Sequence, residues 1–415
     1  MSSRLHFFTI LLIGFVDYLG VGLVYPIFAA LLFDSDYPLV PEDFPSSYRG
    51  ALLGLLICLA PLMKFFSAPL LGALSDYKGR RKTLLYGIGV GCIGYTLAIF
   101  GIWHKSLMIL LLYRMLVGIS EGTVSVAQAV IADISSAETK ANRFALFNGC
   151  LGIGFTIGPF LGGKLADPQF ASWCGYAVPF IVANALCLIN LVLISFSFPE
   201  TNAVARQVKN WNVLVGLKNM AKVLRWPKLR GLFLTAFLFS FGWSFFHEFV
   251  PVLLRHRFQF SLSDVGNYYA YGGAWYAFSA SLAILPLIKY LAPERLLPNA
   301  LICCAFCMVL FNIIPNAQYI WWLMPPFMYL LATTFPTATA LTSKAADREN
   351  QGEVLGVYQS VIALAMGLSP LLAGAAVGKY PELAGYGGAF VMALGAAIFI
   401  LSKRQVAEEP IASRQ

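Results

Sequence analysis

The chain has 415 residues, 59% of them hydrophobic and 12% charged, with a formal net charge of +9. Soluble domains carry about 25% charged residues, so this composition excludes a water-soluble globular protein. The basic residues sit in short segments between apolar runs, not on one soluble face, which argues against a nucleic-acid partner and for membrane topology with contact to anionic lipid.

A helix crossing the hydrocarbon needs about 20 residues. Twelve stretches reach that length, at about 7–32, 50–75, 83–103, 107–133, 143–166, 174–198, 231–254, 265–290, 296–314, 319–343, 354–378 and 385–402. The first is too long for a signal peptide and has no small-residue cleavage site, so it is expected to remain as a span. It contains Asp17, and an acidic loop, "DSDYPLVPEDFPSSYR", follows it. Span 2 carries Lys64 and ends in "GALSDYKGRR"; Gly72 and Gly79 there permit a tight contact between helix and loop. Asp76, among Lys78, Arg80 and Arg81, is placed for a breakable charge network at the membrane face, where an ion pair is worth about 0–1 kcal/mol. Span 4 carries Arg114 and Glu121, seven residues apart and so on one helix face.

Span 5 carries "GFTIGPFLGG". Gly154, Gly158, Gly162 and Gly163 recur at roughly helical spacing as a smooth stripe, and Pro159 removes a backbone hydrogen bond. Such a stripe suits helices that rock between two halves, although static close packing uses the same residues. The long connection at 199–230 divides the chain into a first six-span unit (1–198) and a second (231–415) with a short tail. Within it, "KNWNVLVGLKNMAKVLRWPKLR" reads as a basic amphipathic helix on the inner leaflet. Span 7 contains His247 and Glu248 within "FSFGWSFFHEF"; with Tyr268, Tyr269, Tyr271, Trp275 and Tyr276 of span 8 they form either an aromatic wall for an organic substrate or an interfacial belt. Span 11 carries "ALAMGLSPLLAG", in which Ser369-Pro370 and Gly374 echo Gly158-Pro159 and Gly163. A duplicated unit of this kind is a known transporter plan, with the substrate site between the halves.

Lysine and arginine set the orientation. With the N-terminus inside, only Arg49, Lys105, Lys164, Arg255, Arg257 and Lys379 fall outside, and Lys64 and Arg114 lie within spans; the other 21 of the 29 (29 − 6 − 2) are cytoplasmic. Both termini are therefore expected in the cytoplasm. None of the eight cysteines has a ligand-like histidine partner, there are four histidines, and no nucleophile–base pair or nucleotide-binding motif is visible. No enzyme, resident metal, cofactor or ATP-driven pump is expected.

Charges inside a span are costly and are paired or functional. Lys64 lies twelve residues before Asp76, and Glu121 twelve before Asp133, so both stand about 18 Å above the inner face. Asp17 is at a similar level.

Taken together, "GALSDYKGRR", "DYLGVG" (Asp17 to Gly22), "YRMLVG" (Tyr113 to Gly118), "GIGFTIGPFLGG" (Gly152 to Gly163) and "RENQGEVLGVYQS" (Arg348 to Ser360) resemble the signatures of the major facilitator superfamily. Within it, the chain is similar to the drug:proton antiporters, above all the tetracycline-resistance efflux branch. The resemblance implies an all-α membrane protein with twelve transmembrane helices in two six-helix pseudo-symmetric bundles. It implies a monomer in the plasma membrane, the bacterial inner membrane, driven by the proton gradient without a cofactor. It also implies that spans 1 and 4 line the central cavity, so Lys64 is positioned to meet Glu121 or Asp17. The expected substrate and proton cavity comprises Asp17, Lys64, Arg114, Glu121, His247, Glu248, Tyr268 and Trp275. The charges at Lys64 and Glu121 depart from the tetracycline-type pattern and argue against tetracycline itself as the substrate. The leading function is proton-coupled export of a small organic molecule, with drug resistance as its outcome; uptake of a metabolite, amino acid or siderophore, or a transporter-shaped sensor, are the alternatives.

Overall fold

The computed structural model describes residues 3–34, 37, 39–41, 43–201, 226, 229–283, 291–346 and 351–408, and these are helices joined by short connections. The first group comprises α1 (Ser3–Val24), α2 (Ile27–Phe33), α3 (Ser46–Lys78), α4 (Arg80–Trp103), α5 (Leu107–Glu121), α6 (Thr123–Ile134), α7 (Ala137–Ala166) and α8 (Val178–Ser197). The second comprises α9 (Arg230–Phe258), α10 (Leu262–Phe278, continued by a π turn over Ser279–Ala283), α11 (Pro293–Ile313), α12 (Gln318–Ala345), α13 (Gln351–Lys379) and α14 (Leu383–Glu408). The basic segment expected to be an amphipathic helix lies almost wholly outside the described residues, as does part of the signature beginning at Arg348.

Ten helices among the described residues are long and apolar enough to cross a membrane, fewer than the twelve expected. One of the two not counted is α10, described with its π turn as far as Ala283, while residues 284–290 of the expected span lie outside the described residues. The other is α12, whose 28 residues are diluted by Pro325, Pro326, Pro336 and several threonines. Two expected spans are also divided. The first breaks at Tyr25-Pro26, where the proline has no N–H to continue the helix and serves as N-cap of α2. The fourth breaks at Gly122, between α5 and α6.

Small residues set the close approaches. Gly118 lies so near α3 that a Cβ there would stand 2.7 Å from Ala60 Cα, and one on Gly122 would stand 3.0 Å from the Ala68 amide nitrogen. Bare backbone on one face of α5 thus lets α3 run alongside it. The span 5 stripe behaves differently from expectation. A Cβ on Gly154 would meet Phe15 O at 2.6 Å, one on Gly158 would meet Gly22 Cα at 2.6 Å, and Gly162 faces Leu23. These three glycines pack α7 onto α1 inside the first group, not against the second.

The two groups meet chiefly along α3 against α13 and α7 against α10. These two crossings are copies of one contact. A Cβ on Gly163 would stand 3.0 Å from Gly266 Cα, and one on Gly374 would stand 3.1 Å from Gly54 Cα. Gly266 likewise faces Pro159 O, and Gly54 faces Pro370 O. The offsets are 211 residues for Gly163 to Gly374 and for Pro159 to Pro370, and 212 for Gly54 to Gly266. The echo visible in the sequence is therefore an echo of helix crossings. Both crossings lie toward one face, where Arg255 of α9 also reaches Asp34 (2.6 Å) and the Ser263 amide donates to Asp167 Oδ2 (3.4 Å). Tyr176 donates to Asp34 as well (2.6 Å). That face is closed.

Gly163→Val should overpack the α7–α10 crossing and lower stability by about 1–3 kcal/mol. Gly72→Ala should be neutral, because its Cβ would meet nothing nearer than Ser125 Oγ at 3.8 Å, contrary to the tight contact expected there. Thermal unfolding of the purified variants in one detergent checks both outcomes.

Candidate functional site

The embedded charges form two separate clusters. In the first group, Lys64 Nζ lies 3.3 Å from Glu121 Oε2, so of the two partners left open by the sequence it is Glu121 that holds the lysine. The Gly118 and Gly122 approaches on either side of Glu121 bring α3 and α5 close enough for this contact. Lys64 also donates to Tyr18 Oη at 3.3 Å and stands 5.4 Å from the centre of that ring. Asp17, half-buried on α1, is within electrostatic reach of both Glu121 and Lys64. The lysine side chain is 33% exposed and that of Glu121 14%, so the carboxylate depends more on its partner than the lysine does.

Arg114 belongs to neither cluster. It is 5% exposed, and its guanidinium donates to the carbonyls of Leu56 (2.8 Å) and Ile57 (3.1 Å) over the ring of Phe28. Pro61 accounts for this. Lacking an N–H, it leaves the carbonyl four residues earlier, that of Ile57, without its helical donor, and in a membrane a freed carbonyl has to be satisfied by protein. Arg114 clasps α5 to α3 one turn before Pro61 and is not among the residues lining the cavity.

The second cluster lines a cavity of about 510 Å³ between α7 of the first group and α9, α10, α12 and α13 of the second. Its walls include Asn148, Phe155 and Thr156 on α7, Trp243, His247 and Glu248 on α9, Tyr268, Tyr269 and Tyr276 on α10, Met324, Met328 and Phe335 on α12, and Met366 on α13. His247 Nδ1 shares a hydrogen bond with Tyr25 Oη (3.2 Å) and stands 3.7 Å from Glu248 Oε1. The histidine ring contacts Trp243 at 4.8 Å and Tyr269 at 5.2 Å between centroids. Tyr269 in turn donates to the His247 carbonyl at 2.8 Å, which holds α10 against α9. Tyr268 and Tyr276 face this space, but Trp275 does not. It packs with Tyr271 and Phe278 on the far side of α10, where Tyr271 meets Trp321. This corrects the expectation for Trp275.

The loop between α3 and α4 is held by more than the expected basic residues. Arg80 bridges Asp76 (2.6 Å) and Asp133 (2.9 Å) and is itself 7% exposed. Gly79 has φ +97°, a conformation that favours glycine. Beyond it the Glu200 carboxylate accepts the amide of Arg80 (2.7 Å) and that of Arg81 (3.2 Å), capping the N-terminus of α4. The Arg81 guanidinium donates to the Ile194 and Ser195 carbonyls of α8. Glu200, Asp34 and Arg255 were not singled out from the sequence. Their partners lie 120 and 221 positions away, and only the acidity of the loop after the first span hinted at Asp34.

Residues 10–370 match the model of the Major Facilitator Superfamily. The chain belongs to that superfamily. As a member it is a multi-pass membrane transporter of a small molecule and not an enzyme. It is 29% identical over 397 residues to the tetracycline resistance protein, class C, of Escherichia coli, covering 93% of this chain and 92% of that protein. Among solved structures, the human organic anion transporter MFSD10 (TETRAN) aligns with a TM-score of 0.67 at 22% identity, over 96% of this chain and 100% of that one. The D-xylose–proton symporter aligns with a TM-score of 0.76 at 14% identity, over 96% and 97%. These structures share the fold of this superfamily member.

Lys64→Met strands the better-buried Glu121 and should destabilise the transporter by about 3 kcal/mol, more than Glu121→Gln does. Lys64→Met with Glu121→Leu removes both charges and should regain most of the loss; a double variant no more stable than Lys64→Met would separate the two residues energetically. Glu200→Gln weakens the cap of α4 and should cost about 1 kcal/mol. Thermal unfolding checks all of these.

Proposed function

We propose that this protein is a proton-coupled secondary transporter that exports a small organic molecule by alternating access. The observation that carries this is the Lys64–Glu121 pair with Asp17 beside it, inside apolar spans. An ion pair at that depth is costly to build. It is open to a proton because a carboxylate that loses its lysine in an apolar span is too costly to stay charged. Glu121, with Asp17 as the alternative, takes up the coupled proton when the pair opens and gives it up when Lys64 returns.

The chain is proposed to cross the membrane twelve times, in two six-helix halves formed by residues 1–198 and 231–415. The copied α3–α13 and α7–α10 crossings support this, as each joins one half to the other at equivalent positions. The closed face is the outer one if the basic segments are cytoplasmic, as the positive-inside rule expects. Alternating access then opens these crossings together with the Asp34–Arg255 bridge while the Asp76–Arg80–Asp133 network rearranges at the inner face. Both termini, the 199–230 segment and its anionic lipid contacts lie on the cytoplasmic side of a bacterial inner membrane. The protein works as a monomer, driven by the proton gradient. Export is favoured over uptake by the similarity to the tetracycline resistance protein along nearly the whole chain.

Everted vesicles with an imposed pH gradient test this. Adding a transported substrate should release protons from the wild-type vesicles. The Lys64→Met, Glu121→Leu double variant should insert and fold but release none. Proton release by that double variant would exclude Glu121 as the carrier and leave Asp17 or Glu248. Substrate that enters cells down the proton gradient, in place of leaving them, would make the protein an importer. Arg255→Leu should loosen the closed face, seen as faster modification of a cysteine introduced at Ser263 by a membrane-impermeant reagent.

A further inference from the structure

The proton pair sits in the first group of helices, and the large cavity lies elsewhere, with its own chemistry. Among its described lining residues Glu248 supplies the one carboxylate, His247 the one imidazole, and no lysine or arginine is present. The side chain of Glu248 is 16% exposed, and its Oε2 is buried without a hydrogen-bond partner. Its other oxygen is 3.7 Å from His247 Nδ1, beyond hydrogen-bond distance, and that nitrogen is engaged by Tyr25. The Tyr25 hydroxyl, which engages that nitrogen, is a neutral neighbour of the carboxylate as well; with no lysine or arginine among the described lining residues, a cation to balance the charge has to come from the cavity. Trp243 and Tyr269 line the same space, and a cation near an aromatic ring face gains from the ring quadrupole. Met324 and Met328 opposite are soft and adaptable, suited to apolar bodies of varied outline. At about 510 Å³ the space matches a drug-sized ligand.

We propose that this cavity is the substrate site and that it takes an amphipathic organic cation, an apolar or aromatic body bearing one positive charge, with Glu248 as the counter-ion. The selection is for charge sign. An organic anion of the same size would bring like charge against Glu248 in a low-dielectric pocket. The cavity thus differs from what the name of the human organic anion transporter, which shares its fold, would suggest. This rests on the transport function proposed above for turnover, but not for binding, which needs neither a gradient nor the Lys64–Glu121 pair.

The test uses that independence. Purified full-length protein in lipid nanodiscs is titrated with radiolabelled tetraphenylphosphonium and, separately, with tetraphenylborate, near-isosteric ions of opposite charge, and empty discs give the background. Tetraphenylphosphonium should bind saturably and tetraphenylborate should not. Glu248→Gln should weaken the cation at least about tenfold, as expected for loss of a buried charged partner. Glu248→Asp should keep most of the affinity, and Glu294→Gln, at the surface pair with Lys344, should leave it within about twofold. Glu248→Gln is expected to fold, since it removes a buried charge with no cation beside it, and its unfolding temperature is read alongside. Preference for tetraphenylborate, unchanged cation binding in Glu248→Gln, or an equal loss of binding in Glu294→Gln would each overturn the assignment. Proton release in vesicles remains a separate readout. Cation binding without proton release sinks the coupling proposal alone, and proton release with an anion but not a cation sinks this one alone.

Discussion

A charge inside an apolar span has to be answered by a partner before the helix can settle in lipid. The first group of helices is arranged around two answers to that demand. Lys64 is answered by Glu121 and Tyr18, and the Ile57 carbonyl freed at Pro61 is answered by Arg114, which also reaches the Leu56 carbonyl. Both answers need α3 and α5 in near contact, and the glycines at 118 and 122 provide it. Remove the small residues and neither charge finds its partner. The same close packing gives the Lys64–Glu121 pair its burial.

The second group answers its embedded carboxylate only in part. Tyr25, Trp243, Tyr269 and Phe155 surround His247, yet Glu248 Oε2 has no hydrogen bond. One half of the molecule thus holds a satisfied charge pair and the other a charge short of a partner. A site that keeps a buried group unsatisfied discriminates strongly among ligands, because the right one removes a penalty that the wrong one leaves or deepens. The charge pair and the cavity are built from different residues.

Much of this was legible in the sequence because charge in an apolar run is a strong signal. Lys64, Glu121 and Asp17 stood out by hydropathy, and counting residues from the inner ends put Lys64 and Glu121 at one depth. The duplication was legible from Pro and Gly at constant offset. Facing was not. Trp275 and Tyr268 lie on one short helix, and which of them meets the cavity depends on the packing of α10 against α9 and α12. The glycines of span 5 announced close packing, but not that α1 would be the neighbour for three of them and α10 for the fourth. Arg114 looked like a cavity residue because its partners are backbone atoms, and a sequence shows only side chains. Its cause, Pro61, was visible, but the two lie more than fifty residues apart. The Glu200 cap and the Asp34–Arg255 bridge join positions that no local pattern relates. Of the twelve expected spans, that of α12 is diluted by three prolines and several threonines, and that of α10 is described only as far as Ala283.

The clasp at Pro61 has a mechanical side. A proline kink left open would act as a loose joint, free to bend in several directions. Here the guanidinium fastens the N-terminal limb of α3 to α5 one turn before the proline. Gly54, at the crossing with α13, is ten residues from Lys64, about 15 Å along the helix. The part of α3 that touches the opposite half and the turn that carries the lysine thus lie on either side of a fastened point. A proline site fastened in this way yields less to bending than an open one.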